Sequence, residues 1–506
     1  MLTFAFQKLN SLNHLFAFRK SLFFIVAGVY IFTAWSSNGY YHADEHYQLI
    51  EFAGLKMGTN TNADLPWEFK EQMRPAFQPV IAYVVLSLLK VLNVNDPYYQ
   101  MFVLRLLSTA LAILVFTFFI QATKNYFKDY SAKVRYPLLF YFLWFIPFLS
   151  VRFSSETWSG LFFLWAFSFV FRNDDRQNQP IWMGLLLGIS FLCRFQIAFA
   201  GIGLLAWLIF IGRKNIRYFA ISGVVFLSVI LVGFLIDSWF YDNYVFTPYL
   251  YFRSVIESDG TGFGTSPWYF YLLKVITYPG IFIGLPLLFS VLFLIVLKPK
   301  QPVIWVILPF VLFHSFVPHK EERFLFPIAF LVPFVLMNGY YMLLSYLKSM
   351  RWRKNLNVLW IIIFILNLPP LLAMMVKPAG IGRIEITQFI HNEYRDKPIH
   401  LIFCTWGNPY NPWQSIPVKF YEEYNLNATE IRNICALSDS LIQQNSVNLL
   451  VIRKIDLNKK ECLQLLDETN FELVKQSVPD WILGLNKIYG GLDENEILLL
   501  YQQKTD

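Results

Sequence analysis

The chain has 506 residues, of which 56% are apolar, 19% aromatic and only 15% charged, and its mean hydropathy is +0.44. Soluble domains carry about 25% charged residues, so this deficit over so long a chain excludes an ordinary soluble protein and points to a polytopic α-helical membrane protein. The net charge of +8 does not indicate a nucleic-acid partner, because Lys and Arg fall in short loops between apolar runs, where insertion topology and membrane lipid headgroups account for them.

The first apolar run, Ser21 to Trp35, lacks a small-residue cleavage site and reads as a retained span, with Lys8, Arg19 and Lys20 placing the N-terminus on the cytoplasmic side. A first outer loop covers 36–77. The run 78–92 is short and opens with Pro79, and a crossing there would place the basic segment 124–135 outside; a re-entrant or interfacial helix is expected instead. Apolar runs at 101–120, 136–150, 156–171, 181–193, 195–211, 217–236, 271–297, 303–317, 324–347 and 356–376 bring the expected total to about eleven spans. Basic loops near 213–217, 298–300 and 348–354 read as cytoplasmic, so the segments around Asp237 and Arg323 lie outside.

Residues 1–376 therefore read as a transmembrane domain and 377–506 as a separate domain outside. In the latter, candidate strands at 399–404, 447–453, 471–478 and 496–501 alternate with polar helical stretches at 416–424 and 437–445, the pattern of a small α/β domain. The four cysteines show no metal-ligand spacing and allow at most one disulfide.

Two polar islands interrupt this apolar chain. In the first, His42 to Glu51, a helix would align Asp44, Gln48 and Glu51 on one face, with Glu45, Leu49 and Phe52 beside it. An acidic helix start, favourable to the helix dipole, accounts for Asp44 and Glu45 equally well. The second, Pro318-His319-Lys320-Glu321-Glu322-Arg323-Phe324, places five consecutive ionisable residues between apolar runs. His319, Lys320 and Arg323 could hold a phosphate there while Glu321 orients them; an ordinary hydrated loop is the simpler account. Other charges map to the same outer level. Arg152 and Glu156 are expected to pair across one helical turn, Arg194 interrupts 181–211, and Asp237 and Tyr241 stand where 217–236 emerges. Trp67, Glu68 and Arg74 in the first outer loop form a sugar-binding composition, although aromatic residues also belt membrane interfaces.

The second island, followed by Pro327, resembles the His-Lys-Glu-x-Arg-Phe signature of the Alg9-like mannosyltransferases, glycosyltransferase family 22. Ala43-Asp44-Glu45, with Gln48 and Glu51, resembles the family's Pro-Asp-Glu element, Ala43 standing in place of proline. Weaker echoes are Trp67-Glu68 with Arg74, Arg152 to Glu156, and Asp237 to Tyr241. The resemblance implies a GT-C type glycosyltransferase that moves mannose from a polyprenyl or dolichyl phosphate donor to a glycan or glycolipid acceptor. It implies Asp44 and Glu45 as catalytic groups and His319, Lys320 and Arg323 as the phosphate cradle. No metal or other cofactor is expected, since such a donor carries no diphosphate. A GT-C enzyme for another lipid-phosphate sugar, or a lipid-linked sugar transporter, remains open. A bacterial cytoplasmic membrane with a periplasmic site is the preferred setting, and an endoplasmic-reticulum membrane with a luminal site its topological equivalent. Every version requires the two islands to share one pocket.

Overall fold

The computed structural model describes residues 20–127, 130–172, 178–257, 264–347, 349–411, 416–458 and 464–504. Lys8, Arg19 and Cys462 lie outside them.

The first helix, Lys20–Ser36, packs its buried face of Leu22, Val26 and Tyr30 inward, and the Tyr30 hydroxyl donates to the carbonyl of Tyr141. After the outer segment come a 15-residue helix, Phe77–Val91, and the long helix Pro97–Thr123. The latter starts sharply because Asp96 accepts the amides of Tyr98 and Tyr99 while Pro97 occupies the first turn. Phe77–Val91 is about 22 Å long, short of the roughly 30 Å hydrocarbon layer. Its inner face, with Ala82 and Leu86, packs in the same core as Leu49, Ile50 and Leu104.

By length and apolarity, three helices among the described residues suffice to cross a membrane singly, and three bent pairs pass when each is taken as a unit. That is fewer than the eleven crossings read from the apolar runs. Polar and proline breaks divide those runs: 271–297 splits into Phe270–Thr277 and Ile281–Leu297 around Pro279 and Gly280, whose φ is +80°. Several other runs fold as helices of 10 to 17 residues. The interior they share is aromatic, with Phe116, Phe119, Phe140, Phe163 and Phe167 all fully buried. In lipid, packing of this kind, rather than exclusion of water, holds helices together.

The same breaks shape the site. Arg152 is extended between Phe145–Val151 and Ser155–Ser168, Arg194 is extended after Gln179–Cys193, and Arg323 occupies the tight turn Glu322–Leu325. At Gly160 a Cβ would come within 2.5 Å of the Pro327 carbonyl. Glycine there lets Ser155–Ser168 approach the helix Phe326–Ala329, which follows the turn that carries Arg323.

The C-terminal domain is built on five strands: β1 (Ile399–Cys404), β2 (Leu426–Ile431), β3 (Val447–Arg453), β4 (Phe471–Gln476) and β5 (Leu498–Gln503). Their order is β2-β1-β3-β5-β4, parallel where β1 meets β2 and β3, antiparallel where β5 meets β3 and β4. Four strands match the sequence expectation to within two or three residues, whereas β2 was not expected, since its Asn-Ala-Thr-Glu centre lacks an apolar run. The polar stretches 416–424 and 437–445 are not helices. They contain only the turns Lys419–Tyr421 and Asp439–Leu441, because Pro417 interrupts the first and Ser438, Asp439 and Ser440 favour local turn bonds in the second. The domain's helices are Arg383–Tyr394, Gln464–Glu468 and Asp480–Tyr489. Cys435 is disulfide-bonded.

Candidate active site

His42 caps the short helix Ala43–His46, accepting the Asp44 amide on Nδ1, and the Asp44 carboxylate leaves from the first turn. There it meets Arg323, whose Nη2 donates to Asp44 Oδ2 at 2.8 Å. Arg74 Nη2 stands 3.8 Å from the same oxygen. The two polar islands, 279 positions apart in sequence, therefore share one pocket.

Around this pair the charges alternate. Arg323 also contacts Glu156 through Nη1 at 3.2 Å and pairs with Glu321 through Nε. Glu156 in turn receives Arg194 Nη1 at 2.8 Å. Arg74 pairs with Glu68 at 3.3 Å, and Glu68 accepts Gln48 Nε2 at 3.1 Å. His42 Nε2 lies 3.5 Å from Glu321, which also bonds His319 Nε2 at 2.9 Å. Arg323 is nearly sealed, its side chain 7% exposed, while Asp44 and Glu321 keep 25% and 23%. The carboxylates thus present an open edge and the guanidinium backs them.

This arrangement sets the protonation states. Burial raises the Asp44 carboxyl, but the guanidiniums of Arg323 and Arg74 outweigh it and hold Asp44 well below the ordinary carboxylate range. Glu321 shows the same balance, with Arg323 overcoming burial to bring it down to about 2. Burial and Arg323 together lower His42 below its ordinary value, despite the opposing pull of Asp44. At neutral pH the site therefore holds ionised carboxylates beside a neutral imidazole. Among the described residues, no group of three or more His, Cys, Asp or Glu side chains is placed to hold a metal ion.

The sequence model of the Alg9-like mannosyltransferases matches residues 21–421, a span that contains every one of these side chains. The chain belongs to the Alg9-like mannosyltransferase family. Among curated members, the GPI mannosyltransferase 3 of Candida glabrata is 26% identical over 282 residues, covering 52% of this chain and 39% of that one. The GPI mannosyltransferase 3 of Drosophila melanogaster is 24% identical over 403 residues, covering 75% and 66%. The chain thus spans between two fifths and two thirds of the length of these relatives. ArnT from Cupriavidus metallidurans, solved with undecaprenyl phosphate, superposes with a TM-score of 0.55 at 11% identity, covering 96% of this chain and 98% of its own. The Alg9-like chain is an integral membrane protein of the GT-C fold. Both relatives are eukaryotic, so the preference for a bacterial membrane finds no support in them.

Within this Alg9-like site the structure redistributes several expected residues. Arg152 does not pair with Glu156, because the chain is extended between them. Instead its Nε donates to Glu45 Oε1 at 2.7 Å, and its other nitrogens bind the Ser37 hydroxyl and the carbonyls of Ser37 and Gly39. Glu45 is spent on this arginine and the Tyr41 amide, so it shapes the outer loop and leaves Asp44 as the open carboxylate of the acidic pair. Lys320 also leaves the cationic cluster. Its Nζ donates to the carbonyls of Ser266 at 2.8 Å and Val317 at 2.6 Å, which fastens the segment before it.

Glu51 is turned away from Asp44 as well. Residues Tyr47–Glu51 form a π-helical turn, whose wider period rotates the later side chains relative to an α-helix. Gln48 stays with the site, while Glu51 bonds His46 at 2.7 Å and Asn60 at 2.6 Å in a fully buried cluster. Asp237 and Tyr241 act on the backbone of Ala76 and Arg74: Asp237 accepts the Ala76 amide at 2.7 Å and Tyr241 donates to the Arg74 carbonyl at 2.8 Å. Trp67 remains at the surface, 43% exposed. Sequence reasoning did not single out His42, whose only signal was its position at the start of the acidic segment.

Proposed function

We propose that this chain transfers a mannosyl group from a polyprenyl or dolichyl phosphate to a glycan or glycolipid acceptor, by inverting displacement at the non-cytoplasmic membrane face. The observation that carries this reading is the 2.8 Å contact between Asp44 and Arg323, which joins an ionised, partly open carboxylate to a fixed guanidinium at the outer ends of the helices. The names of the curated relatives support the mannosyl group, and the undecaprenyl phosphate bound to ArnT supports a lipid-phosphate carrier. The eukaryotic relatives favour an endoplasmic-reticulum membrane with a luminal site.

In this mechanism the acceptor hydroxyl oxygen attacks the anomeric carbon as Asp44 takes its proton. The bond from that carbon to the phosphate oxygen breaks, and the electron pair leaves with the phosphate. Arg323 stabilises the charge that develops beside Asp44, while Gln48, Glu68 and Arg74 line the acceptor side. Arginine supplies the positive charge, and no metal or other cofactor is invoked.

Synthetic polyprenyl-phosphate mannose offered to a panel of glycan and glycolipid acceptors, with products read by mass spectrometry, tests the proposal. Wild type is expected to transfer mannose. Asp44→Asn is expected to lose transfer by two to four orders of magnitude, on the order of a general base's contribution, while still binding the donor. Wild-type turnover by Asp44→Asn removes that residue from the role.

A further inference from the structure

A cavity of about 550 Å³ opens between the membrane helices and the C-terminal domain's helix Asp480–Tyr489. Tyr41 and Glu322 line it, and these flank the active site in sequence, Tyr41 three residues before Asp44 and Glu322 beside Arg323. The Tyr41 and Tyr278 hydroxyls meet there at 2.6 Å. Most of the wall is apolar, contributed by residues such as Phe148, Val332 and Tyr489.

The cations near this cavity are unequal. Arg323, Arg74 and Arg194 are each matched by carboxylates, Lys320 is bound by backbone carbonyls, and Lys274 pairs with Glu322 at 2.6 Å. Lys377 follows the last membrane helix, Met350–Val376, and also lines the cavity. Among the described residues its ammonium alone, of the cations lining that cavity, has neither a carboxylate nor a hydrogen-bond acceptor. A half-buried cation without a counter-charge is costly, and burial lowers Lys377 to about 8. Its surroundings match an amphiphile with one anionic head and an apolar chain.

We propose that Lys377 holds the phosphate of the polyprenyl carrier, with the apolar wall of the cavity receiving the first isoprene units. The inference rests on the lipid-phosphate reading above and assigns its headgroup to a residue outside the His319 to Arg323 segment. Phosphate bound at Lys377 would lie in the same cavity as Tyr41 and Glu322, and so at the edge of the transfer site.

The test uses the full chain in phosphatidylcholine nanodiscs, titrated separately with undecaprenyl phosphate, undecaprenol and inorganic phosphate. Wild type is expected to bind undecaprenyl phosphate at least tenfold more tightly than undecaprenol, and to bind inorganic phosphate weakly. Lys377→Ala and the near-isosteric Lys377→Gln should lose roughly ten- to hundredfold in affinity for undecaprenyl phosphate, the span of a lost charge-assisted hydrogen bond, with undecaprenol affinity unchanged. Lys377→Arg should retain binding. Wild-type affinity for undecaprenyl phosphate in Lys377→Gln overturns the assignment, as does inorganic phosphate binding as tightly as the lipid. If wild type shows no mannosyl transfer yet binds undecaprenyl phosphate through Lys377, the transferase reading falls and the site stands. If Lys377→Gln transfers mannose at the wild-type rate and KM, the site falls and the transferase reading stands.

Discussion

Glu51 Oε1 accepts the backbone amide of Phe420 at 3.1 Å, tying the segment that carries Asp44 to the C-terminal domain 369 positions away. Tyr47 adds a second tie, donating to the Ile416 carbonyl at 2.6 Å, and His46 stacks on Tyr421. The π-helical turn after Asp44 is thus held by the C-terminal domain. Removing the Glu51 carboxylate takes the partner from His46 Nε2 and the Phe420 amide and one of two acceptors from Asn60, so Glu51→Ala is expected to destabilise the protein by about 1–3 kcal/mol. A lower thermal midpoint and faster proteolysis near residues 416–421 check this. An unchanged midpoint would show that the contact does not anchor the domain.

Arg323 faces Asp44, Glu156 and Glu321 together. Its loss leaves three carboxylates short of counter-charge, and Arg323→Ala is expected to cost about 3–5 kcal/mol, as for other broken buried pairs. Arg323→Lys should fold better but lose transfer, since an ammonium cannot reproduce the planar fork that reaches all three. Transfer assays on membranes with matched protein levels separate the two effects.

Asp237 and Tyr241 act at a distance from the chemistry, by holding the backbone at Arg74 and Ala76. Tyr241→Phe removes one hydrogen bond, worth about 1 kcal/mol, and should raise the acceptor KM several-fold with little change in kcat. A fall in kcat with KM constant would instead place Tyr241 among the groups that act in the transition state.

The depressed carboxyls of Asp44 and Glu321 set the acid limb of the pH profile. A group whose pKa is lowered in the folded protein keeps its charge, and the stability linked to it, above its ordinary value, and loses them only as pH falls through the folded value. Transfer should therefore stay level between about pH 5 and 7, above the ordinary carboxylate range, and decline only in stronger acid. An acid limb centred near pH 6 would show that a group other than these two carboxylates limits transfer.

Much of the site was legible in the sequence because ionisable residues are conspicuous among apolar runs: Asp44, Gln48, Glu68, Arg74, Glu156, Arg194, Glu321 and Arg323 all lie in one network. The errors have specific causes. Arg152 and Glu156 were paired on the assumption of a continuous helix, yet the chain is extended at Arg152. Glu51 was placed with Asp44 by α-helical spacing, which the π turn breaks. Lys320 looked like a phosphate ligand by composition, but the carbonyls of neighbouring Val317 and distant Ser266 claim its ammonium.

Composition and the order of apolar runs were enough to read a membrane protein, a C-terminal α/β domain and the two polar islands, because solvent preference is a property of each residue and its near neighbours. Which carboxylate meets which arginine depended on where helices break and how their ends converge, and that is decided by packing between segments hundreds of positions apart. Lys377 illustrates the difference: in sequence it is one basic residue after a span, and only the assembled fold places its ammonium on a cavity wall without a counter-charge.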